Sequence, residues 1–166
     1  SSTDGCIDDL PEDDRIRIHR IAKGEFGHGR TRNLGVSLAR GEFVAFLTQD
    51  AMPANKMWLM NLIAPLQDDR EVAGVFGCHI AHEGHNPLTS YDLDQHFNRW
   101  IFRSHRKPIE LDKSRKKPDA SISNHERFYS DNNSCLRKTA WKQVQMPEVI
   151  YGEDQLWAMA ILRCGF

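Results

Sequence analysis

A chain of 166 residues is long enough for one domain with a substantial core and too short for two ordinary ones. Its 40% hydrophobic and 27% charged residues give a soluble globular composition, and no apolar stretch approaches the roughly 20 residues of a membrane-spanning helix. The net charge of -1 offers no case for a nucleic-acid partner.

Thr3 or Asp4 caps a predicted short helix running to about Asp14. Ile16, Ile18 and Ile21, interleaved with arginines, predict a short strand. A loop with Gly24, Gly27 and Gly29 leads into a helix from about Thr31 to Arg40, stopped by Gly41. Phe43-Val44-Ala45-Phe46-Leu47 reads as a strand buried on both faces. Pro53 suits the first turn of the next helix, which carries Trp58, Leu59, Leu62, Ile63 and Leu66. Val72 to Ile80 is a further strand. The first half thus reads β-α-β-α-β, which implies a mostly parallel sheet covered by helices.

Asn86 to His105 predicts a helix with Leu93, Phe97, Trp100 and Ile101 inward. From Arg99 to Lys117 the chain carries eight Lys or Arg against Glu110 and Asp112. That stretch reads either as a solvated loop or as a basic lip for an anionic substrate or a membrane surface. Phe128 to Leu136 is extended. Short helices follow at about Lys138 to Val144 and Glu153 to Arg163, and Cys164-Gly165 stops the second. The cysteines Cys6, Cys78, Cys135 and Cys164 are widely spaced without a CxxC pair, so a reduced, cytoplasmic chain is expected. Both termini read as cuts through a larger domain.

The polar end of the Phe43–Leu47 strand, Thr48-Gln49-Asp50, falls at the carboxyl edge of the sheet, where open α/β folds place ligands. Asp50 either holds a magnesium or manganese ion together with substrate phosphates or caps the helix begun at Pro53. Glu153 and Asp154 either complement the dipole of their helix or supply a general base for an attacking hydroxyl. Gly27-His28-Gly29-Arg30-Thr31-Arg32-Asn33 reads either as ordinary turn chemistry or as a phosphate-binding helix start. His79, His82 and His85 recur every three residues, a spacing that does not converge on a strand and turn, so no histidine metal site is expected.

Taken in order, these segments resemble a known family. His-Gly-Arg-Thr-Arg-Asn, Phe-Leu-Thr-Gln-Asp-Ala-x-Pro, Trp-Leu, Ser-x-x-Asn-Ser and Tyr-Gly-Glu-Asp-Gln-Leu-Trp-Ala are similar to bacterial family-two glycosyltransferases with a GT-A fold, most of all the rhamnosyltransferase-type branch. The first five residues resemble the end of that family's Asp-x-x-Ser-x-Asp-Gly turn. The resemblance implies inverting transfer of a sugar from a nucleotide-diphosphate donor to an acceptor hydroxyl. It implies Asp50 as the last acid of the Asp-x-Asp metal motif, with Mg2+ or Mn2+ as cofactor, and Asp154 as catalytic base with Glu153 beside it. It implies that Asp4, Arg30, Arg32, Asn33 and Gln49 meet the nucleotide side of the donor. Asn132-Asn133-Ser134 would line the cleft. Thr48 departs from the pattern, standing where the first acid of Asp-x-Asp would be. The first strand of the family fold is missing, and so is the Gln-x-x-Arg-Trp motif of processive relatives, which argues against a polysaccharide synthase.

The expectation is an α/β, GT-A catalytic domain with a mostly parallel central sheet, truncated at its N-terminal strand. Residues 1–82 would form the nucleotide-binding half and 83–166 the acceptor-side half with the basic loop 99–117. It would act in bacterial surface glycan synthesis on a nucleotide-sugar donor, such as dTDP-rhamnose, and a glycan or lipid-linked acceptor. The inner face of the cytoplasmic membrane is its expected place, with peripheral membrane association and self-association as further expectations. The rival readings are a catalytically incomplete binding or structural module, and a metal-dependent phosphohydrolase built on Asp50, Glu153 and Asp154.

Overall fold

The structure, a computed structural model, describes residues 5, 7, 8, 10–104 and 126–166, with the backbone alone for 99–104. In chain order the elements are α1 (His28–Leu38), β1 (Phe43–Leu47), α2 (Trp58–Asp68), β2 (Gly74–Phe76), α3 (Pro87–Ser104), β3 (Asn133–Arg137), α4 (Lys138–Gln143) and α5 (Glu153–Arg163). A single 3-10 turn, Lys23–Glu25, precedes α1. Among the described residues no helix is long and apolar enough to cross a membrane.

The α/β reading holds, with one correction to the sheet. β1 and β2 run in the same direction but do not pair with each other. β3 enters between them, antiparallel to both, giving the order β1-β3-β2. Val44 stands opposite Leu136, and Val75 opposite Cys135. The central place suits β3, because its side chains are the more deeply buried. Alternation along the strand sends them to opposite faces. Leu136 points into a cluster with Val36, Val44, Ala140, Trp141, Trp157 and Ile161. Cys135 points the other way, against Leu62 and Leu66 of α2. The sheet is therefore a middle layer, with α2 on one face and α1, α4 and α5 on the other. β1, expected to be buried on both faces, leaves Ala45 and Leu47 exposed, so the strand covered on both sides is β3.

Two early elements are not found. In the described part of the stretch to Asp14 there are turns, such as Asp8 N–H to Gly5 O at 2.8 Å, and no helix. Ile16 to Ile21 forms no strand and has no sheet partner among the described residues, and Ile16 and Ile18 are exposed. Alternating apolar residues permit a strand, but a ladder needs a neighbour, and none reaches this segment among the described residues. α2 begins at Trp58 rather than at Pro53, where the Asn55 side chain accepts the Met57 N–H at 2.9 Å. The loop 51–57 thus separates Asp50 from α2, and Asp50 does not cap it. The basic stretch beyond Ser104 lies outside the described residues.

Tryptophan N–H groups pin the layers together. Trp58 Nε1 donates to Asn133 Oδ1 at 2.6 Å. Trp141 Nε1 donates to Asn33 Oδ1, and Trp157 Nε1 to Val144 O, both at 2.8 Å. Trp141 and Trp157 are buried and Trp58 is half-buried, and the one polar atom of each ring is satisfied.

Candidate active site

Two groups of polar residues meet where β3 begins. The first lies at the end of β1. Thr48 N–H donates to Asn132 O at 3.1 Å, which extends the β1–β3 ladder by one bond, and Ala51 N–H turns back to Thr48 O at 3.1 Å. This turn places Asp50 at the lip of a cavity of about 1230 Å³, lined also by Thr48, His79, His82, Asn132 and Asn133. The Thr48 hydroxyl, bonded to the Asp50 carboxylate, is the main reason that its pKa lies below the usual carboxylate range. The side chains of His79 and His82 act on it in the same direction. His82 Nε2 also approaches Asp50 O at 3.4 Å, so these two histidines come together around Asp50 although the local spacing gave no reason for it. Burial holds His79 below the ordinary histidine pKa, so its neutral form is favoured.

The second group is more enclosed, with Asp131 and Glu153 buried and Arg32 and Asp154 half-buried. Glu153 and Asp154 open α5, and Gly152 before them adopts φ 77°, a left-handed turn that glycine takes without strain. Asp154 Oδ1 accepts the Gln155 N–H at 2.7 Å, and the Asp154 carboxylate also accepts the backbone N–H of Asp131. Arg32 of α1 closes the arrangement. Its Nη1 donates to Glu153 Oε1 at 2.8 Å, and its Nε pairs with Asp131 Oδ2. His28 of the same helix stands 4.0 Å from Glu153 Oε1. One guanidinium therefore faces three carboxylates in a poorly solvated space. Burial is the main cause that pushes Asp131 up to about 7; Arg32 opposes it, while Asp154 and Glu153 add to it. Burial likewise raises Asp154. A carboxyl poised in this way is a candidate functional group.

The residues Asp131 and Asn132 join the two groups. The carbonyl of Asn132 holds the Thr48 turn, and the N–H of Asp131 holds the Asp154 carboxylate. Asp131 itself is only 2% exposed and was missed by the sequence reading, which singled out the three residues after it. The available signal was a lone acid at the start of an otherwise uncharged extended segment.

Several residues expected to meet the nucleotide have partners within the fold. Both polar atoms of the Asn33 side chain are engaged: Oδ1 accepts from Trp141 Nε1 and Met146 N, and Nδ2 donates to Met146 O. Arg32 is bound to Asp131 and Glu153. Arg30 pairs with Glu148 at 2.7 Å on the surface. The start of α1 is also closely crossed by backbone. A Cβ on Gly29 would come within 2.1 Å of Pro147 O, so this glycine is needed where the 147–148 backbone crosses the helix. Gln49 is exposed, and Asp4 lies outside the described residues. Ser134 is fully buried, whereas Asn132 and Asn133 line the cavity.

Among the described residues no three or more His, Cys, Asp or Glu side chains form a group that could hold a metal ion by themselves. Asp50 offers one ionised carboxylate at an open cavity. That fits a hard divalent cation which takes one carboxylate from the protein and its other ligands from phosphate oxygens and water.

A sequence profile described as Glycosyl transferase family 2 matches residues 1–144. The chain is similar to the O-antigen chain rhamnosyltransferase WbaN of Salmonella anatum, at 28% identity over 149 residues, covering 88% of this chain and 44% of that protein. It is similar also to the O-antigen chain rhamnosyltransferase RfbN of Salmonella typhimurium strain LT2, at 27% identity over 154 residues, covering 91% of this chain and 46% of that one. The chain spans under half the length of these curated relatives. No solved structure matches it.

Proposed function

Because the chain belongs to glycosyl transferase family 2, we propose that it carries out inverting transfer of a sugar from a nucleotide-diphosphate donor to an acceptor hydroxyl. Both relatives are named as rhamnosyltransferases of the O-antigen chain. We therefore take dTDP-rhamnose as the donor to test first, and a growing bacterial surface glycan as the acceptor. Action in the cytoplasm, at the inner face of its membrane, belongs to the same proposal. So does the division into a nucleotide-binding half, 1–82, and an acceptor-side half, 83–166.

The observation that carries this reading is the pairing of one exposed, ionised carboxylate with one half-buried carboxylate across a single strand start. The two have opposite environments and so suit opposite tasks. Asp50 is the residue that would hold the divalent cation on which the family generally depends, and such a cation supplies neutralising charge to the diphosphate leaving group. Asp154 receives the proton of the acceptor hydroxyl. Its raised pKa makes it a stronger base than an exposed aspartate, while two backbone N–H groups keep its carboxylate aimed. The attacking oxygen forms the new glycosidic bond as the bond to the diphosphate breaks on the other face of the sugar. The anomeric centre inverts, and no covalent intermediate on the protein is required.

The test uses the whole protein, dTDP-rhamnose and Mn2+. Asp154→Asn should lower transfer at least about 100-fold and leave calorimetric binding of dTDP unchanged. Asp50→Ala should abolish the strengthening of dTDP binding by Mn2+. Transfer that survives in Asp154→Asn would remove Asp154 as base, and dTDP binding indifferent to Mn2+ in the parent would remove the role of Asp50.

A further inference from the structure

We propose that Asp131 is a positioning residue for Asp154, acting through an Arg32–Asp131–Glu153 assembly that locks the start of β3 to the start of α5. The inference rests on Asp154 being the base. The assembly brings together three elements that are distant in sequence: Arg32 from α1, Asp131 from the residues leading into β3, and Glu153 from the first turn of α5. The guanidinium uses two different nitrogens on two different carboxylates, Nη1 on Glu153 Oε1 at 2.8 Å and Nε on Asp131 Oδ2. A rigid planar fork fixes the separation of the two acids, which a lysine ammonium would not do. The side chain of Asp131 is thereby anchored to α5, while its own backbone N–H holds the Asp154 carboxylate. Any shift of Asp131 is passed to the base directly. The Oδ2 atom of Asp131 is buried and lies beside Arg32 without an aligned hydrogen bond. It accordingly acts by charge, in a space from which water is largely excluded.

A tie that served stability alone would not need to bury three carboxylates around one cation, since like charges in a poorly solvated site oppose one another. Among the described residues the charged and titratable groups facing Asp131 are Arg32 from α1, Glu153 and Asp154 from α5, and Tyr129 on its own segment; His28 of α1 reaches the group through Glu153. Asp131 and Asp154 share this surrounding, so their protons come off as a coupled pair. The charge of Asp154 raises Asp131, and once Asp131 ionises it completes the ion pair with Arg32 that fixes the Asp131 N–H against the Asp154 carboxylate.

The test compares the whole protein with Asp131→Asn and Arg32→Lys, using dTDP-rhamnose and Mn2+, and also follows the Asp154 carboxyl by 13C NMR. Both variants should lose about 10- to 100-fold in kcat, since a displacement of even 1 Å costs that much, while the donor KM stays within about two-fold. The parent's rate should rise as Asp131 ionises at about pH 7, and Asp131→Asn should lose that rise. In the NMR titration Asp154 should pass from two coupled steps in the parent to one step at lower pH in Asp131→Asn. An unchanged kcat in both variants overturns the positioning role. A loss in Asp131→Asn equal to that in Asp154→Asn, with Asp154 titrating as in the parent, overturns it too, because Asp131 would then be the base. The NMR titration needs no turnover. If Asp154→Asn remains active, the base assignment fails, yet the coupling of Asp131 to Asp154 is still decided; an Asp154 titration identical in all three proteins sinks the assembly itself.

Discussion

Asn33 offers the sharpest test of how the start of α1 is used. Its side chain ties α1 to α4 and the segment after it by three hydrogen bonds, from Trp141 Nε1 at 2.8 Å, from Met146 N at 3.0 Å, and to Met146 O at 2.8 Å. Trp141 and Met146 are both buried, so water cannot easily replace what Asn33→Ala removes. Each lost bond costs about 1 kcal/mol net, and a buried donor left unpaired costs more. The substitution should therefore lower the unfolding free energy by about 3 kcal/mol, or about 6–12 °C in Tm for a chain of this size. Urea unfolding followed by tryptophan fluorescence gives the value directly, and an unchanged m would show that the unfolded state is not the cause. Donor KM should stay within about two-fold, because both polar atoms of this side chain are already engaged within the fold. A stability loss below about 0.5 kcal/mol, together with a large rise in donor KM, would refute the reasoning and return Asn33 to the binding site.

Two further outcomes follow from the packing and the charges. Gly29→Ala puts a methyl group against Pro147 O, so the 147–148 segment must move, and a loss of about 1–3 kcal/mol is expected in the same urea assay. In the folded state Asp131 holds its proton up to about pH 7, whereas an unfolded aspartate releases it near pH 4. The folded protein then binds the extra proton between those values, so Asp131 favours folding below about pH 4 and loses that contribution as pH rises through about 7. Stability should fall over this window by up to a few kcal/mol, and Asp131→Asn should flatten the curve; an unchanged slope would refute the assignment.

The most local features of this chain were legible in its sequence. β1 is the Phe43–Leu47 run, bounded by Gly41 and the polar Thr48. α5 spans Glu153–Arg163, because two acids favour its first turn and a glycine with φ 90° follows its end. The family resemblance was legible too, since ordered motifs survive in the sequence whatever the pairing of the strands. The non-local features were decided only by the tertiary structure. Ile16–Ile21 had the right alternation for a strand but, among the described residues, no neighbour to pair with, whereas Asn133–Arg137 became the central strand because apolar layers were available on both of its faces. The histidines at 79 and 82 reached Asp50 only because β2 and β1 flank the same strand. Arg32 and Asn33 looked alike as helix-start residues suited to phosphate. Their actual partners lie about a hundred residues onward, and a side chain that can bind an anion will bind whichever carboxylate or carbonyl the fold has already buried beside it.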